Sequence, residues 1–354
     1  MVRVLHALTP DLLSSEIQQV SLLCDGLRTR GFENVVCSFA HRADQRERLE
    51  GLDENVVFCP IRSKLDITHV SRFGQQLDQF RPDIIHYWGT TRNSCVSLAN
   101  SFYSRVPLVE CLDHPITSRW FGDANTNVVM RHANANGDHS KNTVILPAIR
   151  SGSETSAMRS LHAVLDVPPK TQFVGAVGDL LSTHRFKDLI WAIDLIRVIR
   201  EDLHLVIFGD GRDKDRLVEF QNRVVSTDAV HFLRSRDAAE LLRQCVCCWH
   251  PSPSDHLALL EPMSAGVPVI TVEGHDPEVR RQFVVDGETG IEVGVGDCAE
   301  FARQTNLLMQ DVERADQLRR TASRFVEERF CQDRMVSAFV SLYERSLAAG
   351  AKAA

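Results

Sequence analysis

Cys248 to Ile270 reads CWHPSPSDHLALLEPMSAGVPVI, and the reading of this stretch decides the fold. A β-rich run, Val246 to Trp249, stops at Pro251 and Pro253, which fix φ and cannot donate to a ladder. Ser252 and Ser254 sit among these breakers and suit a strand-to-helix turn. Asp255 stands where a helix N-cap is expected, because its carboxylate can accept from unpaired backbone N–H groups. From His256 the spacing of Leu257, Leu260, Met263 and Ser264 predicts a helix that Gly266 ends, and Val267 to Val272 opens another buried strand. Glu261 is the odd member, a carboxylate one turn into an apolar helix. Two readings stand. Asp255 caps and Glu261 faces solvent, or this helix start lies where an open α/β sheet binds ligands, at the carboxyl end of a strand.

The surrounding chain bears on that choice. With 354 residues it exceeds the size at which one core usually splits, so two domains are expected. A hydrophobic content of 44% and a charged content of 25% are those of a globular protein, and a net charge of −7 disfavours a general nucleic-acid binder. The ten cysteines form no CxxC, and most lie in apolar runs, which predicts buried reduced thiols. Cys245 and Cys247 have CxC spacing without a second ligand pair nearby, so no metal is expected. MVRVLHAL lacks the charge pattern of a signal peptide, and no apolar run approaches the roughly 20 residues of a membrane helix. A cytoplasmic protein is expected.

Working outward, Val2 to Leu8, Asn34 to Phe39, Val56 to Cys59, Ile84 to Trp88, Val106 to Cys111, Asn127 to Met130 and Thr143 to Leu146 read as strands. A helix from Glu16 to Arg30 makes the opening a βαβ unit, which implies a parallel sheet. From Arg150 to Lys170 the composition shifts to Ser, Gly, Pro and mixed charge. A second series follows, with strands at Gln172 to Val177, Leu203 to Phe208, Val230 to Leu233, Cys245 to Trp249, Val267 to Val272 and Gly290 to Val293, and then a helical tail from Ala299 to about Ala348.

Four blocks in the second half carry a family resemblance: GDLLSTHRFKDLIWA (Gly178 to Ala192), LVIFGDG (Leu205 to Gly211), the Pro251 to Ile270 stretch, and GHDPEVRRQFVVDGETGIEV (Gly274 to Val293). Their order resembles the nucleotide-sugar domain of GT-B retaining glycosyltransferases, family 4. The ending from Arg329, RFCQDRMVSAFVSLYERSL, resembles that family's last helix. The first half is similar through VRVLHAL, PDIIH at Pro82 to His86, and Asp113-His114. The resemblance implies two Rossmann-like doubly wound α/β domains facing a central cleft. These would be an acceptor-side domain (1–165), a nucleotide-sugar domain (166–330) and a C-terminal helix (331–354) crossing back towards the first.

The resemblance also implies roles. Glu261 matches the glutamate that holds the nucleotide ribose. Arg185, with Lys187 beside it, matches the lysine on the diphosphate, and Gly178 the glycine that ends the first strand. Gly209 and Gly211 would let the chain pass close to the nucleobase, or they serve only a tight strand-to-helix turn. Asp255 or Glu278 would meet the sugar, although the family's first glutamate stands eight residues before the second and Asp255 only six. His114 would line the reacting face. His86-Tyr87-Trp88 could stack on a sugar ring or simply cover the sheet. Two departures weigh against this set. Asp179 occupies the place of a phosphate-neutralising arginine, and TPDLLSS offers no glycine for backbone approach to a phosphate.

The chemistry shows why these departures matter. A diphosphate leaving group gains negative charge as the glycosidic bond breaks, and a metal-free site must meet it with cations and N–H groups. The expected activity is transfer of a hexose, with retention, from a nucleotide diphosphate sugar (UDP- or GDP-linked) to the hydroxyl of a glycan, lipid or small molecule. No further cofactor and no nucleic acid is implied. The rival expectation is a GT-B scaffold that binds a nucleotide sugar or a partner without transfer.

Overall fold

The computed structural model describes residues 1–42, 45–46, 49, 52, 56–61, 67–89, 94–112, 126–129, 142–150, 159–225, 228–274 and 280–353. They form two units, Met1–Ala148 with Phe330–Ala354, and Ile149–Arg329.

The first unit holds β1 (Arg3–Leu8), β2 (Glu33–Ser38), β3 (Val56–Phe58), β4 (Ile84–Gly89), β5 (Leu108–Leu112), β6 (Thr126–Val129) and β7 (Asn142–Val144). All pair in parallel, in the order β3-β2-β1-β4-β5-β6-β7. Strands buried on both faces read as unbroken apolar runs, and Val4, Leu5, Ile84 and Ile85 are fully buried. The helix Ser14–Thr29 covers one face with Val20, Leu23, Cys24 and Leu27.

Residues 330–354 pack onto this unit. Met335, Val336, Phe339, Leu342 and Tyr343 of the helix Gln332–Ala353 join the core of the first sheet. Gly26 permits the approach, since a Cβ there would lie 2.3 Å from Val336 Cγ2. Gln332 Nε2 donates to Leu22 O at 2.8 Å.

That helix also settles the open reading of His86-Tyr87-Trp88. All three are buried, and His86 Nδ1 meets Tyr343 OH at 2.6 Å. Phe339 packs against both the His86 and Trp88 rings. Trp88 Nε1 donates to His6 Nδ1 at 3.3 Å, which leaves the His6 Nε2–H to donate to Asn34 Oδ1. These aromatics cover the sheet, because two donors and a tyrosine hydroxyl are sequestered between it and the helix.

The second unit holds β8 (Gln172–Val177), β9 (Leu203–Phe208), β10 (Val230–Leu233), β11 (Cys247–His250), β12 (Val269–Val272) and β13 (Ile291–Val293). The parallel order β10-β9-β8-β11-β12-β13 is that of a doubly wound dinucleotide-type sheet. The helix Phe186–Arg197 buries Phe186, Leu189, Ile190, Ile193 and Ile196 against it.

The strands fall where the sequence places them, with ends moved by a residue or two. The junction between units, at 148/149, precedes the 165/166 boundary of the sequence reading. Residues 159–165 are held by the second unit: Arg159 pairs with Asp237 and Glu240, and the Leu161 N–H donates to Gln244 Oε1. The helical tail is broken into Cys298–Gln310, Val312–Arg329 and Gln332–Ala353.

Candidate functional site

The order of the second sheet reverses between β8 and β11, so the ligand crevice of such a fold lies beyond their carboxyl ends. Two loops meet there. The first leaves β8 through Gly178, whose φ of +148° favours glycine. The second leaves β11 through the buried residues His250 to Pro253 and reaches Asp255.

The second loop is built on Ser252, whose Oγ accepts from the N–H groups of Asp255 at 3.2 Å and Ser254 at 3.4 Å. Asp255, itself buried, accepts the Ala258 N–H on Oδ1 at 3.4 Å. Its Oδ2 lies 4.0 Å from where a Cβ on Gly178 would sit. Gly178 and Asp255 therefore come together, and one oxygen of Asp255 shapes its own loop. The helix expected from His256 is shorter than the sequence implied. A 3₁₀ turn, Leu257–Leu259, precedes an α-helix of only Leu260–Ser264. Pro262 has no N–H to donate to Ala258 O, which favours the tighter turn ahead of it. Gly266, at φ +70°, ends the helix as expected.

Glu261 sits on the first turn of that helix, partly buried, with no side-chain hydrogen bond among the described residues. Loss of solvent pushes its carboxyl up to about 7. Carboxyls whose titration is perturbed by burial cluster at functional sites.

Gly209 and Gly211 belong to the same crevice, but their surroundings favour the tight-turn reading. A Cβ on Gly209 would lie 2.1 Å from Gly178 O, and one on Gly211 2.5 Å from Leu180 O. Leu180 N donates to Asp210 O, and Asp213 N to Leu180 O, so the two loops are laced backbone to backbone. Gly209→Ala is expected to force these loops apart and lower stability by about 1–3 kcal/mol or more. A urea midpoint equal to that of the unaltered protein would exclude the packing described.

The two cations are engaged by their neighbours. Arg185, in the left-handed conformation at φ +60°, donates from Nε to Asp188 Oδ2 at 2.7 Å. Lys187 Nζ lies 5.2 Å above the Phe220 ring. Asp179 is buried, and its carbonyl O is 3.0 Å from His184 Nδ1. His114 and Glu278 lie outside the described residues.

Histidines at the loop starts escaped the sequence reading. His250 closes β11, buried, and its Nε2 has no hydrogen-bond partner among the described residues. Burial first, then the nearby His184, His256 and Arg280, hold it down at about 3. Arg280 is buried, ion-paired through Nε to Glu292 Oε1 at 3.1 Å, and donates from Nη1 to Val272 O. A Cβ on Gly274 would lie 3.1 Å from His256 Cε1 and 3.4 Å from Arg280 Cβ. The visible signal was a histidine or arginine inside each of three family-like blocks, at positions the family pattern does not mark.

Comparison with known proteins agrees with this geometry. Residues 171–311 match the family described as glycosyl transferases group 1. In solved structures, the chain is similar over 98% of its length to a glycosyltransferase from Rickettsia africae (TM-score 0.77, 13% identity, 98% of that chain). It is also similar over 98% of its length to Anabaena HepE in complex with UDP-glucose (TM-score 0.75, 19% identity, all of that chain). The chain has the GT-B fold. Among curated relatives, N-acetyl-alpha-D-glucosaminyl L-malate synthase of Bacillus anthracis is 30% identical over 171 residues, 47% of this chain and 44% of that protein. A lipopolysaccharide core biosynthesis glycosyltransferase of Rhizobium meliloti, LpsE, is 24% identical over 184 residues, 51% of this chain and 52% of that protein. The match thus spans about half the length of these relatives. No helix of the described residues is long and apolar enough to cross a membrane.

Proposed function

We propose that this GT-B protein transfers a hexose from a nucleoside diphosphate sugar to an acceptor hydroxyl, on a glycan, lipid or small molecule, with retention and without a metal. The observation that carries the reading is Glu261, a carboxyl raised by burial at the switch-point crevice, with no side-chain hydrogen bond among the described residues and within the stretch that matches the family. A carboxylate there can accept both hydroxyls of a ribose. HepE, similar in fold, has been crystallised with UDP and glucose and with UDP-glucose, which supports a uridine nucleotide as the first donor to test.

In this reading Arg185 and Lys187 meet the diphosphate. Their present partners do not forbid it. An exposed ion pair such as Arg185–Asp188 is worth about 0–1 kcal/mol, whereas hydrogen bonds to a charged group contribute about 1.5–3 kcal/mol. Asp255 or Glu278 would address the sugar, and His114 the reacting face.

A second reading is favoured by the same residues. With Asp179 buried in the place of an arginine and both cations engaged, the protein would bind a nucleotide sugar or partner without transfer. Calorimetric titration with UDP, GDP and ADP tests the donor site, on the unaltered protein and on Glu261→Ala. One nucleotide is expected to bind in the micromolar range, weakened about tenfold or more by the substitution, which is about 1.4 kcal/mol. Absence of binding by all three would sink the donor site. Binding without hydrolysis or transfer of the matching sugar nucleotide would leave the scaffold.

A further inference from the structure

Two thiols in the first unit stand apart from the other eight. Cys37 lies on β2, and Cys59 follows β3, the edge strand of that sheet. The parallel register sets Cys37 opposite Val57, and side chains alternate along a strand, so Cys59 returns to the face of Cys37. Cys59 N donates to Ser38 O at 2.8 Å, which fixes that placement beyond the last paired residue. Both side chains are buried in one apolar cluster, where the two thiols influence each other. Arg72, on the helix Ile67–Phe80, donates from Nη2 to Pro60 O at 2.9 Å, which holds its guanidinium beside the Cys59 segment.

We propose that Cys37 and Cys59 are a peroxide-sensitive dithiol that closes to a disulfide across the edge of this sheet. The arrangement gives the two sulfurs unequal roles. Interaction with the Cys37 thiol, and then the Arg72 charge, hold the Cys59 thiol below its ordinary range, although burial opposes them. Interaction with the Cys59 thiol, then burial, holds the Cys37 thiol up. Cys59 is the attacking thiolate and Cys37 the resolving thiol. In the first step the Cys59 sulfur displaces one oxygen of hydrogen peroxide, giving the sulfenic acid and, with a proton, one water. In the second the Cys37 sulfur attacks the Cys59 sulfur, and the hydroxyl leaves with the Cys37 proton as a second water. Two thiols lose two electrons, and the O–O bond accepts them.

The three neighbouring cysteines of the second unit do not share this setting. Cys245, Cys247 and Cys248 are close in sequence, but burial pushes all three thiols up, Cys247 to about 12. Diagonal neighbours on adjacent strands lie roughly 7–8 Å apart between Cα atoms, a little beyond the usual span of a disulfide. Closure therefore draws the three-residue edge strand towards β2, and a bond made under such strain is readily reduced again.

The test treats the reduced full-length protein with one to ten equivalents of hydrogen peroxide. Remaining thiols are then blocked under denaturing conditions, and the peptides are mapped by mass spectrometry. A Cys37–Cys59 linked peptide is expected as the first disulfide, lost on treatment with dithiothreitol. Cys37→Ala is expected to accumulate a dimedone-trapped sulfenic acid at Cys59, and Cys59→Ala to abolish both species. The map of the unaltered protein needs no variant to fold. Oxidation of Cys95, Cys298 or Cys331, the partly exposed thiols, without a Cys37–Cys59 link would overturn the proposal. So would a sulfenic acid found at Cys37 instead.

Discussion

Acidification from pH 7 to 4 is expected to unfold the protein, through histidines that both units bury in the neutral form. In the first unit His6 is held down at about 4 by burial, partly offset by its bond to Asn34. Trp88 donates into the one nitrogen that would have to accept a proton. Its neighbour His86 is held well below its ordinary range by burial and by His6. In the second unit His250 lies at about 3. The folded values are depressed, so below 6.5 the unfolded chain binds protons that the folded one does not. The stability these groups contribute is full above about 6.5 and falls as the pH drops towards 4. At 1.36 kcal/mol per unit, His6 and His250 each account for about 3 kcal/mol over that window. Each loss falls on a different unit and is a large part of the roughly 5–15 kcal/mol that holds one folded domain. Glu261 acts in the opposite sense, but it is one partly exposed group against three buried ones. Urea unfolding at half-unit steps should show a steep fall in stability between pH 6.5 and 4.5, and a flat profile would mean that water reaches these rings.

These histidines mark the limit of what the sequence could say. The two doubly wound sheets were legible because parallel strands buried on both faces leave unbroken apolar runs, and Gly31, Pro82 and Gly266 punctuate them. Glu261 was legible too, as a charge in an apolar helix. The short helix after Asp255 was misjudged because the apolar spacing ran through Pro262, whose missing N–H acts on a residue four positions earlier. Arg185 and Lys187 could be placed near the crevice, but not the Asp188 and Phe220 that engage them, since such pairings depend on rotamers and on another helix. His86 and Tyr343 are separated by most of the chain, so no local pattern could reveal their contact.

Glu261→Gln is expected to separate stability from binding. The Glu261 carboxyl titrates at about 7 in the folded protein against about 4.5 in a solvated chain, so the folded state retains a proton that the unfolded state has lost. Its contribution is fully favourable below 4.5 and is lost as the pH rises through 7. The full shift corresponds to about 3 kcal/mol, and partial exposure reduces this to about 1–2 kcal/mol at pH 8. Glutamine fills the same space without a charge. The variant should therefore be more stable than the unaltered protein at pH 8, with the difference vanishing near pH 5. Nucleotide affinity should move the other way. A carboxylate can accept two ribose hydroxyls, whereas the amide offers one acceptor, and a hydrogen bond to a charged group contributes about 1.5–3 kcal/mol, so affinity at pH 8 should fall at least tenfold. The unaltered protein should itself lose affinity as the pH falls below 7, approaching tenfold per unit. The glutamine variant supplies the baseline that removes titration of the nucleotide phosphates. A structural acid would show neither pattern: its replacement would weaken folding and leave binding alone. Gain of stability with loss of binding is the signature of a residue kept for its ligand, and a variant that binds UDP normally would remove Glu261 from the donor site.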